Sequence, residues 1–172
     1  TMRKLVTVLV LAVFAASMVA AQASVKKILK DKDIDAFIAN FEALEADLDA
    51  LEGKYDHIFA EMEGIGEGED LGATFIALRS LDMPEEIQDV FKKHGLGANG
   101  FEKMIVITAA YQSLEMDSQV ALFREQYKDN PEMEPYLDQA DAQNESLRKA
   151  LHADDMKLVK KRQADLRALF AE

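Results

Sequence analysis

Apolar side chains recur every three or four positions through most of this chain, the spacing that gathers them on one side of an α-helix. The longest run passes through Ile34, Phe37, Ile38, Phe41, Leu44, Leu48, Leu51, Tyr55, Ile58, Phe59 and Met62. It predicts one long helix over residues 33–63. Asp31 or Asp33 is placed to cap its start, accepting hydrogen bonds from free backbone N–H groups. Gly53 falls inside the run and weakens it locally. Residues 64–72 (GIGEGEDLG) interleave four glycines with acids and predict a loop.

Helical spacing resumes through Phe75, Ile76, Leu78 and Leu81. Asp82 and Pro84 then mark a fresh start, since a proline at the first helical positions gives up an N–H that has no partner there. Glu85 and Glu86 follow in the first turn, and Lys92, Lys93 and His94 stand in the last, both as the helix dipole prefers. Gly95 fits the residue just past a helix end. From Asn99, a cap candidate, residues 100–128 read as the next helix. Its centre, residues 104–111 (MIVITAAY), is apolar on most faces and predicts a helix buried all round. The β-branched Ile105, Val106, Ile107 and Thr108 also suit a strand, but no second strand offers itself as a partner. Residues 129–135 (DNPEMEP) form a turn. Helical spacing returns through Tyr136, Leu137, Ala140, Leu147 and Leu151, then through Leu158, Val159, Leu166, Leu169 and Phe170. Asp154 or Asp155 would cap the last segment, and whether the helix breaks at residues 152–155 is left open. The pattern predicts an all-α domain, a single bundle of five or six helices around one core. The first helix is acidic and the last carries Lys157, Lys160, Lys161, Arg162 and Arg167, so the two are expected side by side.

The N-terminus follows a different logic. Arg3 and Lys4 precede the apolar residues 5–14 (LVTVLVLAVF), and small residues follow, ending Ala21-Gln22-Ala23. This is the layout of a cleavable signal peptide over residues 1–23, leaving residues 24–172 as the helical domain. The competing reading is a retained anchor, because residues 5–21 are uncharged, at the short limit for a membrane span. Small residues and the A-x-A favour cleavage. The chain has 172 residues and a formal net charge of −12. Removing residues 1–23 takes away two bases and no acid, so the remainder is more acidic still. That sign repels nucleic acid and anionic lipid, and basic residues do not interleave with aromatics. No cysteine is present, so an exported domain of this kind has only its core to rely on. The expected location is the bacterial periplasm or the exterior, with no stable membrane insertion after cleavage.

Candidate chemistry is thin. Residues 95–100 (GLGANG) match G-x-G-x-x-G, yet the dinucleotide motif needs a preceding strand. Here a helix precedes, so a helix–helix turn is expected. Asp31, Asp33, Asp35 and Glu42 occupy positions 1, 3, 5 and 12 of a calcium-loop pattern. Position 6 is Ala36 where the loop needs glycine, and the seam Ile34, Phe37, Ile38 runs through it at helical spacing, so these remain weak metal candidates. Glu63, Glu67, Glu69 and Asp70 read as a solvated acidic loop. His57, His94 and His152 have no histidine or cysteine at ligand spacing. Haem attachment through C-x-x-C-H is absent, and Met62, Met104 and Met116 read as core fillers. Ser80, Ser113, Ser118 and Ser146 lack a nucleophile-elbow context. Carboxylates are too many for any pair to stand out as acid and base.

No cofactor and no enzymatic activity are expected. The leading expectation is a non-enzymatic, chaperone-like or binding protein whose partner is another envelope protein. The alternative is a carrier of a small apolar ligand or lipid, with residues 104–111 lining its cavity. Protein recovered after export should begin at Ser24; N-terminal sequencing that reads instead from Met2 would mean an anchor is retained.

Overall fold

The computed structural model describes residues 25–66 and 70–171. The expected signal peptide, residues 1–23, lies outside them. Among the described residues the chain is all-helical, with no strand. Its α-helices are α1 (Asp31–Asp49), α2 (Asp56–Gly66), α3 (Leu71–Arg79), α4 (Glu85–Lys93), α5 (Gly100–Gln126), α6 (Glu134–Ala150), α7 (Ala153–Lys161) and α8 (Gln163–Phe170), with 3₁₀ turns at Glu52–Lys54 and Pro131–Met133.

These are eight helices rather than the five or six expected. The difference comes from two interruptions inside segments that read as continuous. The run over residues 33–63 is cut between α1 and α2, where Leu51 N–H bonds back three residues to Leu48 and Tyr55 closes the 3₁₀ turn. A 3₁₀ turn shifts the chain direction without spoiling the apolar phase, so Leu48, Leu51, Tyr55 and Ile58 still face the core across the break. The final segment is cut at Arg162, which ends α7 and starts α8. The break near residue 152 is present too: His152, not an aspartate, caps α7, its Nδ1 accepting from the Asp154 N–H at 3.1 Å. In α1 Asp33 lies inside the first turn, and its carboxylate accepts from the Lys30 N–H at 2.9 Å.

The core is organised around α5. Seven consecutive residues, 104–110, are buried on every side, and α1, α3, α4, α6 and α7 all pack against this helix. Phe37, Phe75, Phe91, Leu44 and Val159 complete the interior. Leu114 and Met116 still pack against the core, and from residue 118 on α5 is mostly exposed, Val120 apart, as it pairs with α6. The helices α1 and α8 are side by side, as their charges suggested, but aromatic packing joins them more than charge does. Phe170 stacks edge-on against Phe41 at 5.6 Å, and Arg162 bonds Asp35, while Arg167 pairs with Glu115 of α5 instead.

The six residues 95–100 form a helix–helix turn. Gly95 (φ +83°) is the left-handed residue after α4; its N–H bonds to the Lys92 carbonyl and the next N–H, of Leu96, bonds to that of Phe91. This double closure is the Schellman motif, with Leu96 buried beneath it. Gly100 is required for another reason: a Cβ there would lie 2.2 Å from the Cβ of Phe91.

Two buried carboxylates tie distant segments together. Asp33, 1% exposed, receives Lys103 Nζ of α5 at 2.9 Å, and the same ammonium bonds the Leu96 carbonyl. Asp155, also 1% exposed, accepts the backbone N–H groups of Ile28 and Leu29 at 3.0 and 2.9 Å, clamping the N-terminal arm onto α7. Asp155 satisfies backbone donors that would otherwise lack partners, and Asp33 is compensated by an ammonium that also holds the turn at Leu96.

The glycines offer a direct check on this packing. Gly100→Ala should destabilise by roughly 2 kcal/mol or more, the cost of overpacking a filled site. Gly53→Ala, with open space around it, should be neutral or stabilising by up to about 1 kcal/mol through the unfolded chain. Urea unfolding of the two variants measures the contrast; equal midpoints would mean that α5 does not approach Phe91 so closely.

Candidate functional site

Among the described residues a small apolar crevice lies where four elements meet. Leu48 at the end of α1 forms one wall and Ile58, Phe59 and Met62 of α2 form a second. Met83, Ile87 and Phe91 bring in α4, and Phe101 and Met104 of α5 make the floor. The enclosed space is about 20 Å³, room for about one water, and apart from the half-buried Ile58 and Phe59 its apolar lining is buried.

Local sequence builds each wall. The 3₁₀ turn after α1 swings α2 across the opening. Gln88 Nε2 donates to the Met83 carbonyl at 2.7 Å and holds the residue before Pro84 in place. Gly100 brings the start of α5 against α4, and the Phe91 and Phe101 rings meet edge to face at 6.1 Å. Met62, Met83 and Met104 are all buried yet unbranched, so the lining can change shape without breaking a rigid contact.

The rim is acidic. Asp49 and Glu52 border the groove, and α2 exposes Asp56, Glu61 and Glu63 while carrying no lysine or arginine. Lys54 and Tyr55 both bond Glu86 of α4, fastening the rim; the Lys54 ammonium first and the Tyr55 hydroxyl second hold that carboxyl below its ordinary value. Behind the rim, Lys93 and His94 meet Asp47 at 2.6 and 2.7 Å, and the Lys93 bond, then that of His94, lowers the Asp47 pKa.

The calcium-pattern residues do not converge. They lie in α1, not in a loop: Asp33 is buried against Lys103, Asp35 faces Arg162, and Asp31 and Glu42 are exposed. Among the described residues no group of three or more acids or histidines is arranged to hold a metal ion. Asp70 serves as the cap of α3, and Glu67 and Glu69 lie outside the described residues. His94 ends α4, His152 caps α7 and His57 is exposed on α2. Of residues 104–111 only Met104 reaches the groove; Ile107, Ala109 and Ala110 are fully packed. Asp49, Glu52, Met83, Ile87, Phe91 and Phe101 are the lining residues that sequence reasoning did not single out, and their meeting with α2 depends on a bend the apolar pattern conceals.

A second exposed surface crowns the α5–α6 hairpin. Leu122, Phe123, Tyr127 and Tyr136 are 63%, 42%, 37% and 58% exposed. Arg124 stitches the opposite side, bonding Glu134, Asp138 and Asp141 at 2.7 to 2.8 Å.

Comparison with known proteins finds no matching family model, no matching characterised protein and no matching solved structure.

Proton chemistry is not favoured by the carboxyl groups that depart from their ordinary values. Burial raises the pKa of Asp70, but bonds from Ser146 and from the Ala73 and Gly72 N–H groups outweigh it; burial likewise opposes, and Arg167 and Gln163 outweigh, at Glu115. Both therefore stay ionised at neutral pH, where a general acid needs a raised value. Folded values below unfolded ones contribute stability that is complete above the ordinary carboxylate range and lost as pH falls through the lowered folded values. The urea midpoint should hold steady from about pH 8 to pH 6 and drop below about pH 4. Asp70→Asn should lower the neutral midpoint and flatten the acid limb; an unchanged limb would deny Asp70 a part in it.

Proposed function

We propose that this chain is an exported, non-enzymatic binding protein of the bacterial periplasm or exterior, with a chaperone-like or adaptor role. Its groove between α1, α2, α4 and α5 holds an apolar segment of another envelope protein. The observation that supports this reading is the small crevice lined by methionine and phenylalanine, reached past the half-buried Ile58 and Phe59, whose unbranched methionines can move to widen it. Lowered carboxyl pKa values at Asp47, Glu86 and Glu115 agree with structural ion pairs and not with acid catalysis.

The same lining favours a second reading, a carrier of a small apolar ligand, because few polar groups point into the groove to select a partner. Native mass spectrometry of protein purified from its source separates the two. The polypeptide mass alone, together with complex formation when an apolar helical peptide is added, is the outcome expected for a protein binder. A retained small apolar mass supports the carrier. Phe59→Ser, at the half-buried mouth, should weaken either complex at least about tenfold by removing one large apolar contact; unaltered binding would place the site elsewhere.

A further inference from the structure

We propose that the tip of the α5–α6 hairpin is a docking surface of its own, and that it takes a positively charged, arginine-bearing surface of another protein. This goes beyond the crevice and does not rest on it. Of the five large hydrophobic side chains that stand exposed among the described residues, four belong to this tip: Leu122, Phe123, Tyr127 and Tyr136. Single exposed apolar residues are ordinary, whereas a cluster at one end of a molecule marks a contact surface.

The tip holds these side chains on an ordered frame. Phe123 and Tyr127, one helical turn apart, meet with ring centroids at 6.2 Å. The turn after α5 is closed by its own backbone: the Asn130 N–H bonds the Tyr127 carbonyl at 2.8 Å, and the Met133 N–H bonds that of Asn130 at 3.1 Å. The Asn130 side chain accepts the Glu132 N–H, and Arg124 fastens α5 to the start of α6 through Glu134 and Asp138. Groups already ordered lose less freedom on binding, and tyrosine and phenylalanine offer wide faces with few rotatable bonds.

Charge names the partner. Both bases of the tip are engaged within the chain, Arg124 with three carboxylates and Lys128 with Glu125. Asp129 and Glu132, in the turn between the helices, are exposed, and their carboxylates bond none of the described residues. The charge left open beside the aromatic rings is therefore negative, and the ring faces are electron-rich as well. A guanidinium answers both features, stacking on a ring while its edge pairs with a carboxylate. A second copy of this chain would bring the same acids to the contact, and an anionic lipid surface its phosphates, so both are repelled.

NMR titration of the isotope-labelled folded protein with two synthetic peptides tests the proposal. A peptide of alternating arginine and leucine should shift the backbone amide signals of residues 122–136 and leave those around Phe59 in place. Its glutamate–leucine counterpart should bind at least about tenfold more weakly, and the affinity of the arginine peptide should fall severalfold between about 50 and 500 mM salt. The double variant Phe123→Ser/Tyr136→Ser should lower that affinity at least about tenfold, and Asp129→Lys/Glu132→Lys severalfold, with circular dichroism showing both folds intact. Phe59→Ser should leave it unchanged, so failure at the crevice and failure at the tip are told apart. Absence of any shift, shifts spread across the acidic surface, or binding that survives the aromatic variant would each overturn the proposal. Sedimentation that reveals a dimer abolished by Phe123→Ser/Tyr136→Ser would assign the tip to a second copy and overturn it too, as would anionic vesicles binding through the same residues.

Discussion

A helix with no side facing water cannot be an independent structure, and α5 is in that position for two turns. Residues 104–110 are buried whichever way they point, so their stability exists only once α1, α3, α4, α6 and α7 have closed around them. Each large apolar side chain buried in this way contributes about 1.5–3 kcal/mol, and the cysteine-free sequence supplies no cross-link to substitute for it. The remaining architecture follows from that requirement. Ala109 and Ala110 let neighbours come close, Gly100 admits α4, and Gly72 lets α3 touch the backbone of α6 at Ser146. From about residue 118 the same helix is released from the requirement, and Arg124 ties its exposed end to Glu134, Asp138 and Asp141.

What the sequence disclosed is what local pattern encodes. The apolar stretch at 104–111 announced a central helix, and Lys92-Lys93-His94-Gly95 announced where α4 stops, because the left-handed residue and the favourable cations sit next to each other in the chain. The interruption at residues 50–55 was concealed, since Leu48, Leu51, Tyr55 and Ile58 keep steps of three and four across a 3₁₀ turn. Nothing at Arg162 signals the second break; no glycine or proline stands there. The caps were misplaced by one to three residues at α1, α4 and α7, where Lys30, Pro84 and His152 hold the cap positions, because several acids near each start could all have served.

The groove was illegible for a different reason. Its lining comes from residues 48 to 104, and Met62, Met83 and Met104 stand about twenty positions apart with no shared motif. Each reads as ordinary core, and each is indeed buried; only the bend between α1 and α2 turns their edges outward together. Long-range polar ties were equally hidden. Lys103 is seventy positions from Asp33, and neither has a neighbour in sequence that foretells the bond.

The clamp at Asp155 bears on how the chain reaches its final form. Its partners lie 126 and 127 positions earlier, so the leading strand of polypeptide has nowhere to lodge until nearly all the rest has arrived. Long loops close slowly, because their ends must find each other before any reward is gained. A chain that emerges head first, from a ribosome or through a narrow pore, is thereby kept from locking early. The segment at Ile28 and Leu29 is fastened only by a residue that follows most of the fold.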